Sequence, residues 1–152
     1  WIDTFAQSQE EAEKVYEAIR LPKRATAGSA GYDFFAPAEF TPKPGETVKI
    51  PTGIRVEMQP EWVLKCYPRS GLGFKYRLQL NNTVGIIDSD YFYSDNEGHI
   101  FSKITNDSNE NKTLTIPADT GFMQGIFVEY GITVDDDATE IRNGGFGSTT
   151  AK

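Results

Sequence analysis

After Pro22 the chain becomes a succession of short apolar runs closed by turn residues. "YDFFA" is followed by the turn-rich "TPKPGE", and "TVKI" and "IRVEM" flank "PTG". "WVLKCY", "LQL", "HIFSKIT", "TLTI" and "GIFVEYGITV" come next, with the polar stretch Asn106 to Lys112 reading as a hairpin loop. Many short strands at this spacing predict an all-β sandwich or barrel. The one strong helix signal precedes them, from Ser8 to Arg20. Ser8 and Glu11 make a capping-box pattern, Ala12, Val15, Tyr16 and Ile19 repeat at helical spacing, and Pro22 blocks continuation. The organisation read from this is an N-terminal helix (1–22), a β domain (23–140) and a flexible glycine-rich C-terminal lid (141–152).

The 152 residues are the size of one domain and can bury a hydrophobic core. A net charge of -7 gives no general attraction for nucleic acid, although one small polyanion needs only a local cluster. No apolar run approaches the ~20 residues that span a bilayer, so no membrane partner is expected. The single cysteine, Cys66, excludes an intrachain disulfide and fits a reducing compartment, with a cytoplasmic location expected. It lies in a strand-like run and reads as a buried structural thiol. The single histidine, His99, has no evident catalytic partner.

Several polar segments interrupt the strand pattern. Asp33 lies inside the apolar run "GYDFFA", where a carboxylate is paired, hydrogen-bonded or near a cation. "PRSGLGFK" offers Arg69, the Ser70 hydroxyl and backbone N–H groups, as a phosphate cradle or an ordinary turn. In "NNTVGIIDSDYFY", the Asn82 amide can give and accept hydrogen bonds, and Gly85 lets backbone approach a planar group. Asp88 follows two isoleucines and could polarise a water as general base; with Asp90 it could equally form a solvated turn. Asp135 to Asp137 form either a metal site or a solvated face. Near the end, "RNGGFGSTT" sets one ring among glycines, hydroxyls and an arginine. A nucleotide with phosphates offers partners to all of them.

Five segments in order, "AGYDFFA", "PRSGLGFK", "GIIDSDY", "GFMQGIF" and "RNGGFGSTT", resemble the five motifs of the trimeric dUTP diphosphatases (dUTPases), over about Leu21 to Thr150. The resemblance implies a jelly-roll β fold, a homotrimer with three sites shared between subunits, and hydrolysis of dUTP to dUMP and pyrophosphate with Mg²⁺. On the matching positions, Asp88 is the water-activating aspartate and Tyr91 packs under the deoxyribose, leaving no room for a 2′-hydroxyl. Asn82 reads uracil beside the backbone at Gly85. Arg69, Ser70, Gly71 and Gln124 are phosphate ligands, and Asp33 lies near the metal–phosphate end. In the closing tail Phe146 stacks on uracil, while Arg142, Ser148 and Thr149 hold phosphates.

The sequence departs from the family pattern at four places. "FYSDNEGHI" is longer than the family's short step after the tyrosine. Gly121 stands where a basic residue is common, the spacing from Arg142 to Phe146 is one residue short, and a helix replaces the first strand. Two other readings remain: a dCTP deaminase-like enzyme of the same fold, which would need a glutamate in the hairpin, and a nucleotide-gated regulatory binding protein, motivated by the helix and the long insertion.

Overall fold

Ser8 starts the first element as the capping pattern predicts: its Oγ accepts from the Glu11 N–H at 3.3 Å. Helix α1 spans Gln9–Ala18, with Glu10 and Glu11 in its first turn, where carboxylates favour the helix dipole. It stops two residues before the expected Arg20, because Ile19 is already extended. Its packed stripe is narrower than its periodicity implies. Ala12 is buried and Ile19 packs on the core, but Tyr16 is 69% exposed. The computed structural model describes residues 8–145.

The strands are β1 (Lys23–Arg24), β2 (Tyr32–Phe35), β3 (Thr47–Pro51), β4 (Trp62–Pro68), β5 (Leu78–Leu80), β6 (Gly85–Ile87), β7 (Phe101–Asn106) and β8 (Gly121–Glu129). Helix α2 (Ser70–Tyr76) and a 3₁₀ turn (Ser89–Tyr93) lie among them. All pairings are antiparallel. One sheet has the order β1-β2-β8-β4-β6, the other β3-β7-β5. The long β4–β8 ladder runs from Trp62↔Glu129 to Pro68↔Met123. Phe34, Ile50, Leu64, Ile104, Leu114 and Phe122 fill the core. The described residues are mostly β, as expected from the sequence, with two helices among them.

Three local expectations differ from the structure. "IRVEM" forms no strand; at its entry side chains take the backbone donors, with Gly53 N–H donating to His99 Nε2 at 3.0 Å and Ile54 N–H to Thr52 Oγ1 at 3.1 Å. "TLTI" does not pair with β7. Leu114 and Ile116 donate to the carbonyls of Pro42 and Phe40, and Pro42 has no N–H with which to continue a ladder. The residues after Arg69 form α2 rather than an open cradle; Leu72 and Tyr76, four apart on one helix face, pack on the core. Asn106, read as the start of a loop, ends β7 fully buried. Its Nδ2 donates to the Pro42 and Lys112 carbonyls at 2.9 and 2.8 Å, and its Oδ1 accepts from Ser108 N–H at 3.1 Å.

One feature of topology positions the site. β5 belongs to the three-stranded sheet and β6 to the five-stranded sheet, so the turn between them crosses from one layer to the other. Val84 N–H donates to the Asn82 carbonyl at 2.7 Å, and the residue between, Thr83, has φ +69°. This is the rare, strained γ-turn geometry, held here where the sheets part.

Candidate functional site

The parting sheets leave a cavity of about 490 Å³, within the usual range for small-ligand sites. Asn82, Gly85, Asp88 and Tyr91 all line it, together with Arg142. The remaining lining is largely aliphatic or backbone, and Asp88 is its only carboxylate among the described residues. Tyr91 is buried at 7% exposure. Ser102 also lines the cavity, and its Oγ is buried with no hydrogen-bond partner among the described residues.

Asp88 follows β6 and precedes the 3₁₀ turn, which turns Tyr91 inward. Arg142 bridges two carboxylates: its Nη2 pairs with Asp88 Oδ2 and its Nε donates to Asp90 Oδ1 at 2.7 Å. Asp90, one of two acidic groups read as a possible solvated turn, is therefore a partner of the tail. Asn143 accepts from Asp95 N–H at 3.0 Å. A Cβ added at Gly145 would lie 2.7 Å from the Tyr91 ring, so this part of the tail rests on the tyrosine. Phe146, Ser148 and Thr149 lie outside the described residues.

Gly85, which lines the cavity, also meets strand β4. A Cβ there would lie 3.0 Å from the Cys66 Cβ, so the glycine is needed by strand β4. Burial pushes the Cys66 thiol up to about 12, which leaves it a protonated wall group at neutral pH.

A second cluster forms at the far end of β4. Arg69 Nε lies 3.1 Å from Asp33 Oδ1, giving that carboxylate the cation its apolar setting calls for. Asp33 is opposite Gln124 in the β2–β8 register, and Gln124 Nε2 donates to the Pro68 carbonyl at 3.1 Å. Gly121 makes room for the arginine, since a Cβ there would meet Arg69 Nη1 at 2.9 Å. Ser70 and Gly71 are exposed in the first turn of α2.

The sequence-derived residues thus fall into two groups. Ile87, next to Asp88, pairs with Leu64, while Arg69 follows Pro68 at the other end of the same strand. The five residue-to-residue steps from Leu64 to Arg69 span about 16 Å. Asp33, Arg69, Ser70, Gly71 and Gln124 do not line the cavity. Arg142 lies with Asp88, apart from Arg69, Ser70, Gly71 and Gln124. Asp135 to Asp137 are exposed, and no described residues form a cluster of three metal-ligating side chains.

Other residues at the site were not singled out by sequence. Tyr91 Oη donates to the His99 carbonyl at 2.8 Å and accepts from Asn96 Nδ2 at 2.7 Å. His99 Nε2 accepts from Gly53 N–H, and burial, with Lys49 nearby, lowers its imidazole to about 4. It therefore works as a neutral acceptor. The only sequence signal for these contacts is the extra length after Tyr91.

An antiparallel β domain with an apolar cavity beside one carboxylate, and an Arg–Asp pair at a strand end, defines an all-β domain with room for a small ligand. The dUTPase family profile matches residues 17–150, and the chain belongs to the dUTPase family. It is 42% identical over 136 residues to the deoxyuridine 5′-triphosphate nucleotidohydrolase of Lactococcus lactis, covering 88% of this chain and 89% of the relative. It is 37% identical over 142 residues to that of Escherichia coli, covering 88% and 89%. The dUTPase of Streptococcus mutans matches with a TM-score of 0.66 at 38% identity, covering 74% of this chain and 88% of that one. A dUTPase from Staphylococcus aureus phage phi11, whose structure describes a structural Mg(II) ion, shares the fold at a TM-score of 0.65 and 21% identity, covering 82% and 92%.

Proposed function

We propose that the protein hydrolyses dUTP to dUMP and pyrophosphate as a homotrimer of jelly-roll subunits. The carrying observation is the cavity where the sheets part, with Asp88 at its edge and the buried Tyr91 as a wall. The uracil lies between the Asn82–Ile87 arm and β7, where the Asn82 amide reads its polar edge. Tyr91 packs under the deoxyribose and leaves no space for a 2′-hydroxyl. Asp88 takes a proton from the water that attacks the α-phosphorus, the bond to the bridging oxygen breaks, and pyrophosphate leaves. Arg142 lies beside Asp88, within reach of a phosphate brought there. Arg69, Ser70, Gly71 and Gln124 bind the remaining phosphates, and Phe146, Ser148 and Thr149 close over the nucleotide.

The separation of the two clusters along β4 supports assembly, because a site built from Asp88 of one subunit and Arg69 of another needs no long reach within either. The donor set fits Mg²⁺ carried by the substrate. That ion keeps several waters and takes one or two carboxylates beside phosphate oxygens, and Asp33 is the carboxylate at the phosphate end. Bound there, Mg²⁺ would neutralise phosphate charge. The buried, protonated Cys66 suits a reducing compartment, and a cytoplasmic location is part of the proposal.

The test is pyrophosphate release across deoxy- and ribonucleoside triphosphates, with products separated by anion exchange. We expect dUTP to be preferred and dUMP to appear without ammonia. Asp88→Asn should bind dUTP and turn it over ~10²–10⁴-fold more slowly. Near-normal turnover by a folded Asp88→Asn protein would place the base elsewhere.

A further inference from the structure

The segment from Phe92 to Gly98, which lengthens the connection after Tyr91, folds back onto that tyrosine. The Tyr91 phenol gives its one proton to the His99 carbonyl and accepts from Asn96 Nδ2 at 2.7 Å. Its directional bonds therefore involve one residue in the turn of this segment, Asn96, and the residue just after it, His99. The Asn96 amide is held in turn. Its Oδ1 accepts from Gly98 N–H at 3.2 Å and lies 2.7 Å from Ser94 Oγ, which is also 2.7 Å from the Tyr91 carbonyl. Gly98 N–H can only donate, and the phenol proton is already engaged. These partners fix which end of the amide faces which neighbour.

The turn that carries Asn96 packs closely on the tyrosine's own backbone. Glu97 and Gly98 take φ +57° and +73°, closing it against the backbone of Tyr91 and Phe92. Arg55 clamps it from outside: its Nη2 donates to the Phe92 carbonyl at 2.8 Å and its guanidinium lies 3.6 Å over the Phe92 ring. On the other side Gly145 rests on the Tyr91 ring. A wall that rejects a substrate by shape discriminates only as well as it resists being pushed aside.

We propose that Asn96 is a positioning residue that fixes the Tyr91 ring and so sets how strictly the cavity rejects a ribose. The inference rests on the reading of Tyr91 as the sugar wall. It assigns the long segment a role in specificity: Asn96 touches no substrate and acts only through the tyrosine's hydroxyl.

The experiment compares kcat/KM for UTP and dUTP in the full-length protein. Asn96→Ala should raise the UTP-to-dUTP ratio about 3–10-fold, the range set by one neutral hydrogen bond, with a smaller change for dUTP alone. Asn96→Asp keeps the acceptor for Gly98 and Ser94, and hence the turn, but removes the amide donor. The phenol then has one bond where it had two, so the same ratio should rise even if the alanine variant fails to fold. Tyr91→Phe keeps the ring and removes both bonds; it should raise the ratio, and adding Asn96→Ala to it should change little more. That non-additivity is what a merely structural asparagine would not produce. A ratio that moves in Tyr91→Ala but stays at the wild-type value in both Asn96 variants overturns the positioning role alone. So do additive effects of Tyr91→Phe and Asn96→Ala. A ratio unmoved in Tyr91→Ala removes the sugar-wall reading, and this inference with it.

Discussion

Gly98→Ala is the substitution whose cost can be worked most directly from geometry. Gly98 has φ +73°, and an added Cβ would lie 2.6 Å from Phe92 Cα, 2.9 Å from the Tyr91 carbonyl oxygen and 3.2 Å from Phe92 C. All three atoms are backbone, so no rotamer change relieves the contact. The left-handed conformation costs an L-residue about 1–2 kcal/mol, and overpacking adds about 1–3 kcal/mol. Together they give roughly 2–5 kcal/mol, a large share of a typical domain's stability. The protein can escape only by moving the Ser89–Tyr93 turn or opening the Asn96 turn, and either loosens Tyr91. Urea unfolding at fixed subunit concentration, followed by tryptophan fluorescence, should show the midpoint lowered by roughly 1–2 M. Gly28→Ala is the control: nothing lies within 4 Å of its added Cβ, and it should stay within about 0.5 kcal/mol of wild type. A Gly98→Ala midpoint equal to that of Gly28→Ala, at unchanged slope, would refute the packing argument.

The other expectations concern charge and assembly. His99 is lowered to about 4 from an ordinary 6.5, so between those values the unfolded chain binds a proton that the folded chain does not. Stability present above pH 6.5 is therefore lost as pH falls towards 4, at up to about 1.4 kcal/mol per pH unit. Urea titrations of wild type against His99→Gln should diverge only in that window, and parallel curves would contradict the assignment. If Asp88 and Arg69 act across a subunit boundary, mixing inactive Asp88→Asn chains with inactive Arg69→Ala chains should restore part of the activity. Proven mixed assemblies without recovery would put both groups of a site in one chain.

How much of this was legible in the sequence depends on which atoms carry the role. The side chains of Asp33, Arg69, Asp88, Tyr91 and Gln124 carry distinctive chemistry, and each lies in one of the segments that resemble the family's motifs. Their division into two clusters was not legible, since it follows from the register Ile87↔Leu64 and the length of β4. His99 and Gly98 were missed because one acts through its carbonyl and ring acceptor and the other through an absent Cβ. Gly85 lines the cavity as expected of a ligand contact, but its close packing on Cys66 was not legible. The strand errors share a cause. "IRVEM" and "TLTI" have strand composition, but Thr52, His99 and Pro42 spoil the ladder, and each spoiler lies outside the segment it affects.

The charges around the site bear on how an acidic chain binds a polyanion. Composition alone would let Arg69 and Arg142 supply the attraction, but both are already engaged. Arg69 is paired with Asp33, and Arg142 is shared between Asp88 and Asp90. Lys103, which also lines the cavity, only balances that second group. Among the described residues neither cluster carries surplus positive charge, and the chain as a whole carries -7. A triphosphate must therefore bring its own cation or displace carboxylates from both arginines at once. We therefore expect Mg²⁺ to be needed for tight binding as well as for the proposed turnover. Calorimetric titration with a non-hydrolysable dUTP analogue should show affinity about tenfold or more weaker in excess EDTA, a difference of at least about 1.4 kcal/mol. Asp90→Asn removes one of Arg142's two carboxylates and leaves that group with surplus positive charge, so it should narrow the gap between EDTA and Mg²⁺. Equal affinity with and without the metal would mean that the arginines leave their carboxylates at little cost, and the electrostatic argument would fail.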